Sequence, residues 1–179
     1  GDLGVVFFHK DGFSTACGHG TIALVTWAID SGLIEPKDEV VTVIVDVPSG
    51  RLVTEAKVHN QKVESVCFQN VPSFVSATNI SLQTSVGQVN ADISFGGAFY
   101  ASVNAGKLGL SPTASNIDAL ISLSREIKDQ LKDNQSAVHP DDDRLSGVYG
   151  TIFYEEIGAN PLHQRNMTVF ADGQVDRSP

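Results

Sequence analysis

Thr21, Ile22, Ala23, Leu24, Val25, Thr26, Trp27, Ala28 and Ile29 follow one another without a charge, opened by a glycine-rich segment and closed by Asp30-Ser31-Gly32. Gly32 suits the position just past a helix end, where a left-handed backbone is needed. A helix that is apolar on every side cannot rest on a surface and must be enclosed by protein. The run is also far shorter than the about 20 residues that cross a bilayer. It therefore predicts a central helix wrapped by sheet.

The neighbouring sequence supplies that sheet. Residues 39–47 are rich in β-branched side chains, and Pro48-Ser49-Gly50 turns the chain. Residues 51–58 and 63–71 follow, separated by His59-Asn60-Gln61, a spacing that fits short antiparallel strands. Upstream, residues 3–9 read as one short buried strand and Lys10-Asp11-Gly12 as a turn. Residues 72–88 are rich in Ser, Thr, Asn and Gln, and mark a crossing between two units. Beyond it, residues 92–101 read as two strand pieces around Gly96-Gly97. Residues 115–133 read as an amphipathic helix, with Ile117, Leu120, Ile121, Ile127 and Leu131 at helical spacing. Ser115 with Asp118 suggests a capping pair, and Arg125 with Asp129 an i,i+4 ion pair. Residues 146–154 and 167–171 read as strands, and residues 172–179 as turn-like.

Charge and cysteine content exclude several function classes. A net charge of −9 with no basic run repels phosphate backbones, so no nucleic-acid partner is expected. No membrane partner is expected either. Two cysteines, Cys17 and Cys67, are too few for a disulfide scaffold. A cytoplasmic, reducing compartment is the default, with a signal ahead of Gly1 left open because the chain starts inside a strand and without Met.

The strongest local signal for chemistry is Ser14-Thr15-Ala16-Cys17-Gly18-His19-Gly20-Thr21, which puts a thiol at a helix N-terminus. Free N–H groups and the helix dipole stabilise an anion there. In general such a position lowers a thiol pKa from about 8.5 to roughly 3.5–7.5. Flanking glycines let a ligand approach the backbone, and the same N–H groups can hold a carboxylate. A thiol beside a carboxylate cradle suits removal of the proton next to a carboxyl group. An inert cysteine in a glycine turn is the other reading, and the segment alone leaves both open. His19 invites comparison with the thiolate–imidazole pair of cysteine hydrolases. At a spacing of two the side chains need not face each other, so contact with substrate is its expected role. No His–Asp or His–Asn set completes a hydrolase.

Other candidates carry less. Cys67 lies in a strand pattern and reads as a small core or face residue. The histidines show no zinc spacing with the cysteines, and His139 with the three aspartates after it reads as a solvated loop, so no metal is expected. Phe95-Gly96-Gly97-Ala98-Phe99-Tyr100-Ala101 reads as a bulge or hairpin corner. Phe170, Asp172 and Asp176 lie in a strand-then-turn, where a carboxylate either caps the turn or binds an amine.

Taken in order, Cys17-Gly18-His19-Gly20-Thr21-Ile22-Ala23-Leu24, Val71-Pro72-Ser73-Phe74, the Phe95–Ala101 segment and Val169-Phe170-Ala171-Asp172-Gly173-Gln174-Val175-Asp176-Arg177-Ser178-Pro179 resemble the proline racemase family. That family includes proline racemases, 4-hydroxyproline 2-epimerases and trans-3-hydroxyproline dehydratases. The resemblance implies an α+β, diaminopimelate epimerase-like fold, with β-barrel-like sheets each wrapped around a central helix and the active site between two lobes. Residues 1–75 would form the first lobe and residues 76–179 the second. It further implies a mechanism without cofactor on a small imino acid, proline or hydroxyproline. One cysteine removes the α-proton and another returns one from the opposite face. Cys17 matches the first thiol. Gly18 and His19 match substrate contacts, Phe170 a hydrophobic wall for the ring, and Asp176 the acidic partner of the imino nitrogen. A homodimer is compatible with this picture.

The resemblance also sets expectations about what lies outside the chain. In the family, Asp-Arg-Ser-Pro leads at once into Cys-Gly-Thr-Gly, so the second thiol and the second central helix are expected beyond Pro179. The second lobe is then incomplete, and the 179-residue polypeptide is expected not to racemise. Dehydratases of the family typically carry Ser or Thr at the first thiol position, so Cys17 favours a racemase or epimerase. Gly20 looks more like hydroxyproline epimerases, where many proline racemases carry Asn. A dehydratase and a non-catalytic remnant that binds a carboxylate are the remaining readings.

Overall fold

The computed structural model describes residues 1–9, 12–159 and 162–176. The expected turn at Lys10-Asp11 and the Arg177-Ser178-Pro179 end therefore lie outside the described residues. The chain divides into two units, Gly1–Pro72 and Ser73–Pro179.

In the first unit, β1 (Leu3–Gly4), β2 (Phe7–His9), β3 (Gly12–Ser14), α1 (Gly18–Asp30), β4 (Val40–Val47), β5 (Gly50–His59) and β6 (Lys62–Gln69) follow in order. The sheet order is β1-β4-β5-β6, and β2 pairs with β3 in a separate hairpin. β1 runs parallel to β4, and the other pairs are antiparallel. Strict alternation explains β5: Leu52, Thr54, Ala56 and Val58 point inward while their neighbours face water. α1 buries Thr21, Val25, Ala28 and Ile29, and Val25 and Ile29 join Val43, Val45, Leu52 and Ala56 in one core. Each fully buried aliphatic side chain there stabilises the unit by about 1.5–3 kcal/mol.

Two expectations need correcting in this unit. α1 is not enclosed on every side: Ile22, Ala23 and Trp27 are exposed, Trp27 by 57%. The four-stranded sheet covers one stripe of the helix and leaves the opposite one open. Residues 3–9 form two short strands rather than one, and Phe8, opposite Phe13 in the hairpin, is 80% exposed.

The β4–β5 turn carries a charge-assisted pair. Arg51 donates from Nε to Asp46 Oδ1 at 2.7 Å and from a terminal nitrogen to Oδ2 at 3.0 Å, which holds the Asp46 carboxyl well below its ordinary range. In the second unit, hydrogen bonds from Arg144 hold Asp142 at about 2. A carboxyl whose folded pKa is depressed contributes stability above its unfolded pKa and loses it as pH falls. Resistance to urea is therefore expected to be flat above pH ~5 and to decline below about pH 4. Arg51→Gln with Arg144→Gln should flatten that decline, and added salt should weaken it because both pairs are exposed. Urea midpoints across pH check this, and an unchanged decline in the double variant would assign it to other groups.

The second unit contains β7 (Phe74–Thr84), β8 (Gly87–Phe95), β9 (Phe99–Asn104), α2 (Ile117–Leu131), β10 (Val148–Ala159), β11 (Leu162–Phe170) and β12 (Gln174–Asp176). They form one sheet in the order β12-β11-β10-β9-β8-β7. Only β9 and β10 pair in parallel, as the crossover through α2 between them requires. α2 buries Leu120, Leu123, Ser124, Ile127 and Leu131, and Ser124 donates to Thr151 of β10 at 3.0 Å. Phe99, Phe153, Met167 and Val169 are buried in the same unit.

Here too the structure departs from the sequence reading. The boundary between the units falls at the start of the polar stretch, after Pro72, and most of that stretch forms the edge strand β7, where one flank and one face meet water and polar side chains are tolerated. α2 starts at Ile117 with no side-chain cap bond; the Ser115 hydroxyl pairs with that of Thr113 at 2.9 Å. Arg125 turns from Asp129 to Asp172, reaching its carboxylate at 3.3 Å and its carbonyl at 3.2 Å. Two acceptors on one turn outcompete a single one along the helix. Residues 174–176, read as turn, add the strand β12.

Candidate functional site

Cys17 is the residue immediately before α1, with an extended backbone (φ −153°, ψ 102°). Its carbonyl accepts the Thr21 N–H at 2.9 Å and the Thr21 hydroxyl at 2.9 Å. This is the first i→i−4 bond of the helix, so the N–H groups of Gly18, His19 and Gly20 precede it and have no intrahelical acceptor. The cysteine side chain makes no cap bond to them. Two ties hold the approach to the helix: Ser14 Oγ donates to the Ala16 carbonyl at 2.7 Å, and the Ser49 N–H of the β4–β5 turn donates to the Thr15 carbonyl at 3.0 Å. The thiol is free of any disulfide and partly exposed.

His19 comes closer to the thiol than its spacing suggested. Cys17 Sγ and His19 Nε2 are 3.5 Å apart. The extended backbone at Cys17 swings the sulfur back over the first turn, where the histidine also projects. Gly20 makes room for this arrangement. A Cβ on Gly20 would lie 2.9 Å from Cys17 Sγ and 2.7 Å from the Phe7 ring, closer than real side chains approach. The glycine that sequence reading treated as backbone access thus also seats the sulfur.

Phe170 and Asp176 belong to the second unit, and Cys17, Gly18 and His19 to the first. Phe170 ends β11, opposite Gly150 of β10 and Gln174 of β12. Asp176 pairs with Thr168 across β11–β12. Sequence reading did not single out Tyr149, whose ring stacks on Phe170 with centroids 5.8 Å apart and planes 18° apart. Only a break in the β9–β10 register puts it there, and no local pattern announces such a break.

The remaining candidates take structural places. Cys67 is exposed on β6, opposite Glu55. His139 packs edge-on to Phe95 at 4.6 Å, and its Nδ1 accepts the Asp141 N–H. Asp142 is committed to Arg144, and the described residues contain no group of His, Cys, Asp and Glu that would hold a metal ion. Phe95 and Phe99 join Phe74 in an aromatic cluster. Two hollows of about 410 and 340 Å³, one at Asp2, Glu35 and Val43 and one at Asn79, Asp92 and Lys107, are lined by none of the five candidate residues. The chemistry at the start of α1, rather than a cavity within either unit, marks the candidate site.

Known proteins resemble this chain along nearly its whole length. The model of the family described as proline racemase matches residues 1–179. A trans-3-hydroxy-L-proline dehydratase of Bacillus thuringiensis is 41% identical over 178 residues, 99% of this chain and 53% of that protein. The proline racemase of Acetoanaerobium sticklandii is 33% identical over 180 residues, 99% and 54% of the two chains. Among solved structures, a hydroxyproline epimerase from Agrobacterium vitis with bound trans-4-hydroxy-L-proline matches with a TM-score of 0.88 at 30% identity, over 98% of this chain and 50% of that one. The chain thus spans about half the length of the relatives it matches. A family match along its whole length, joined to this backbone agreement, makes the chain a member of the proline racemase family.

Proposed function

We propose that this chain carries the first thiol base and part of the ring-binding surface of a racemase or epimerase acting on proline or a hydroxyproline. The observation that carries the reading is the Cys17 sulfur at the start of α1, 3.5 Å from His19 Nε2. In this reading the substrate carboxylate lies on the N–H groups of Gly18 and the next residues, where the helix dipole favours negative charge. Cys17, as thiolate, takes the α-proton, and the electron pair left on the α-carbon spreads into that carboxylate. A second thiol on the opposite face then returns a proton. Phe170 walls the ring and Asp176 receives the imino nitrogen. By the family pattern the second thiol is not among these 179 residues, so the polypeptide alone is expected not to invert its substrate.

Two measurements test this. L-Proline and trans-4-hydroxy-L-proline should each slow alkylation of Cys17 by iodoacetamide while leaving Cys67 untouched, read by mass spectrometry. In deuterium oxide the 179-residue chain should give no D-proline by chiral chromatography. Equal protection of both cysteines, or robust inversion, overturns the reading.

A second reading is dehydration of trans-3-hydroxy-L-proline, favoured by the name of the 41% identical Bacillus relative. Cys17 supports the isomerase instead, because the family's dehydratases typically place Ser or Thr there. Product analysis of a family-length protein separates the two: a stereoisomer, or a keto acid formed by hydrolysis of the eliminated product.

A further inference from the structure

Tyr100 of β9, Gly150 of β10 and Phe170 of β11 lie in one row across three strands. The middle member has no side chain, so the row has a gap between two aromatic rings. A Cβ at Gly150 would stand 2.6 Å from the Val169 carbonyl oxygen, 3.0 Å from Phe170 Cβ and 3.1 Å from the Tyr100 ring. The gap is therefore required by the close passage of the strands.

Tyr149 fills it. Val148 pairs with Phe99 and Gly150 with Tyr100, so the register shifts by one residue at Tyr149, a bulge. A bulge re-aims the side chain it carries. Here it brings the Tyr149 ring edge-on to Tyr100, with centroids 5.7 Å apart and planes at 78°, and flat against Phe170 at 5.8 Å and 18°. All three rings are half-buried, so they present a joint aromatic surface while bracing one another.

We infer that Tyr149 is a positioning residue that sets the plane of Phe170, and through it the fit of the imino-acid ring. The inference rests on the proposed role of Phe170 as the ring wall. An aromatic pair in stacked geometry adds attraction beyond its buried area, and a ring held on one face loses its freedom to turn. A saturated five-membered ring lying on Phe170 then meets a fixed surface, and its protons take a defined upfield ring-current shift.

The test titrates the 179-residue chain with L-proline and with trans-4-hydroxy-L-proline, following the ligands' ring protons by NMR and affinity by calorimetry. Tyr149→Leu is expected to weaken binding of L-proline about fivefold and to erase most of the upfield shift. Tyr149→Phe, which keeps the stack, should restore both. Tyr149→Met serves as a second truncation should the leucine variant fail to fold. Phe170→Leu separates the two levels of the claim. If it weakens binding and erases the shift while the Tyr149 truncations do neither, the positioning role is overturned and the site reading stands. If Phe170→Leu changes nothing, or the unsubstituted chain binds neither ligand, the site reading falls and the inference with it.

Discussion

Replacing Cys17 by alanine in a family-length polypeptide that carries these residues is expected to lower inversion of L-proline by roughly 10²–10⁴-fold, the usual contribution of a positioned proton-transfer group. Folding should be little affected, because the thiol is partly exposed and caps nothing. Cys17→Ser sharpens the contrast. A serine hydroxyl before a helix accepts an N–H that cysteine leaves unmet, worth about 1 kcal/mol. The serine variant should thus unfold at a higher urea concentration while still failing to invert. Polarimetry for inversion and urea denaturation for stability read the two effects separately. Full inversion by the alanine variant would remove Cys17 from the mechanism.

The second large effect is expected at Gly20. In a helix, alanine is more favourable than glycine by about 1 kcal/mol. Against that gain, the added Cβ would stand 2.7 Å from the Phe7 ring and 2.9 Å from the Cys17 sulfur. Both neighbours are side chains able to swing aside, so the helix should survive with stability near that of the parent. The sulfur, however, must leave its seat 3.5 Å from His19. A displacement of about 1 Å at a reacting atom can cost about 10²-fold, and Gly20→Ala is expected to approach that loss in the same inversion assay. An alanine variant with unchanged rate would show that the sulfur's position is not set from below.

The parts of this chain legible from sequence are those decided by neighbours along it. Alternation of inward and outward side chains marks β5, and the spacing from Ile117 to Leu131 marks α2. The start of α1 is announced by glycines around Cys17, and its end by Gly32, which takes φ +80°. What sequence did not show depends on a backbone angle or on partners far along the chain. The contact between Cys17 and His19 follows from a backbone angle at Cys17. Arg125 finds Asp172 only because the turn after β11 lies beside α2. Tyr149 reaches Phe170 only because one residue slips out of register with β9. Residues 74–84, polar enough to suggest the crossing between units, form a strand because an edge position asks for few apolar side chains.

The open stripe of α1 has an optical consequence. Trp27 is the single tryptophan of the chain and is largely in water, while the opposite stripe of the same helix lies in the core. Its indole emission therefore comes from one known spot, about three turns from the thiol, and its colour tracks whatever settles over that spot without any dye having to be attached.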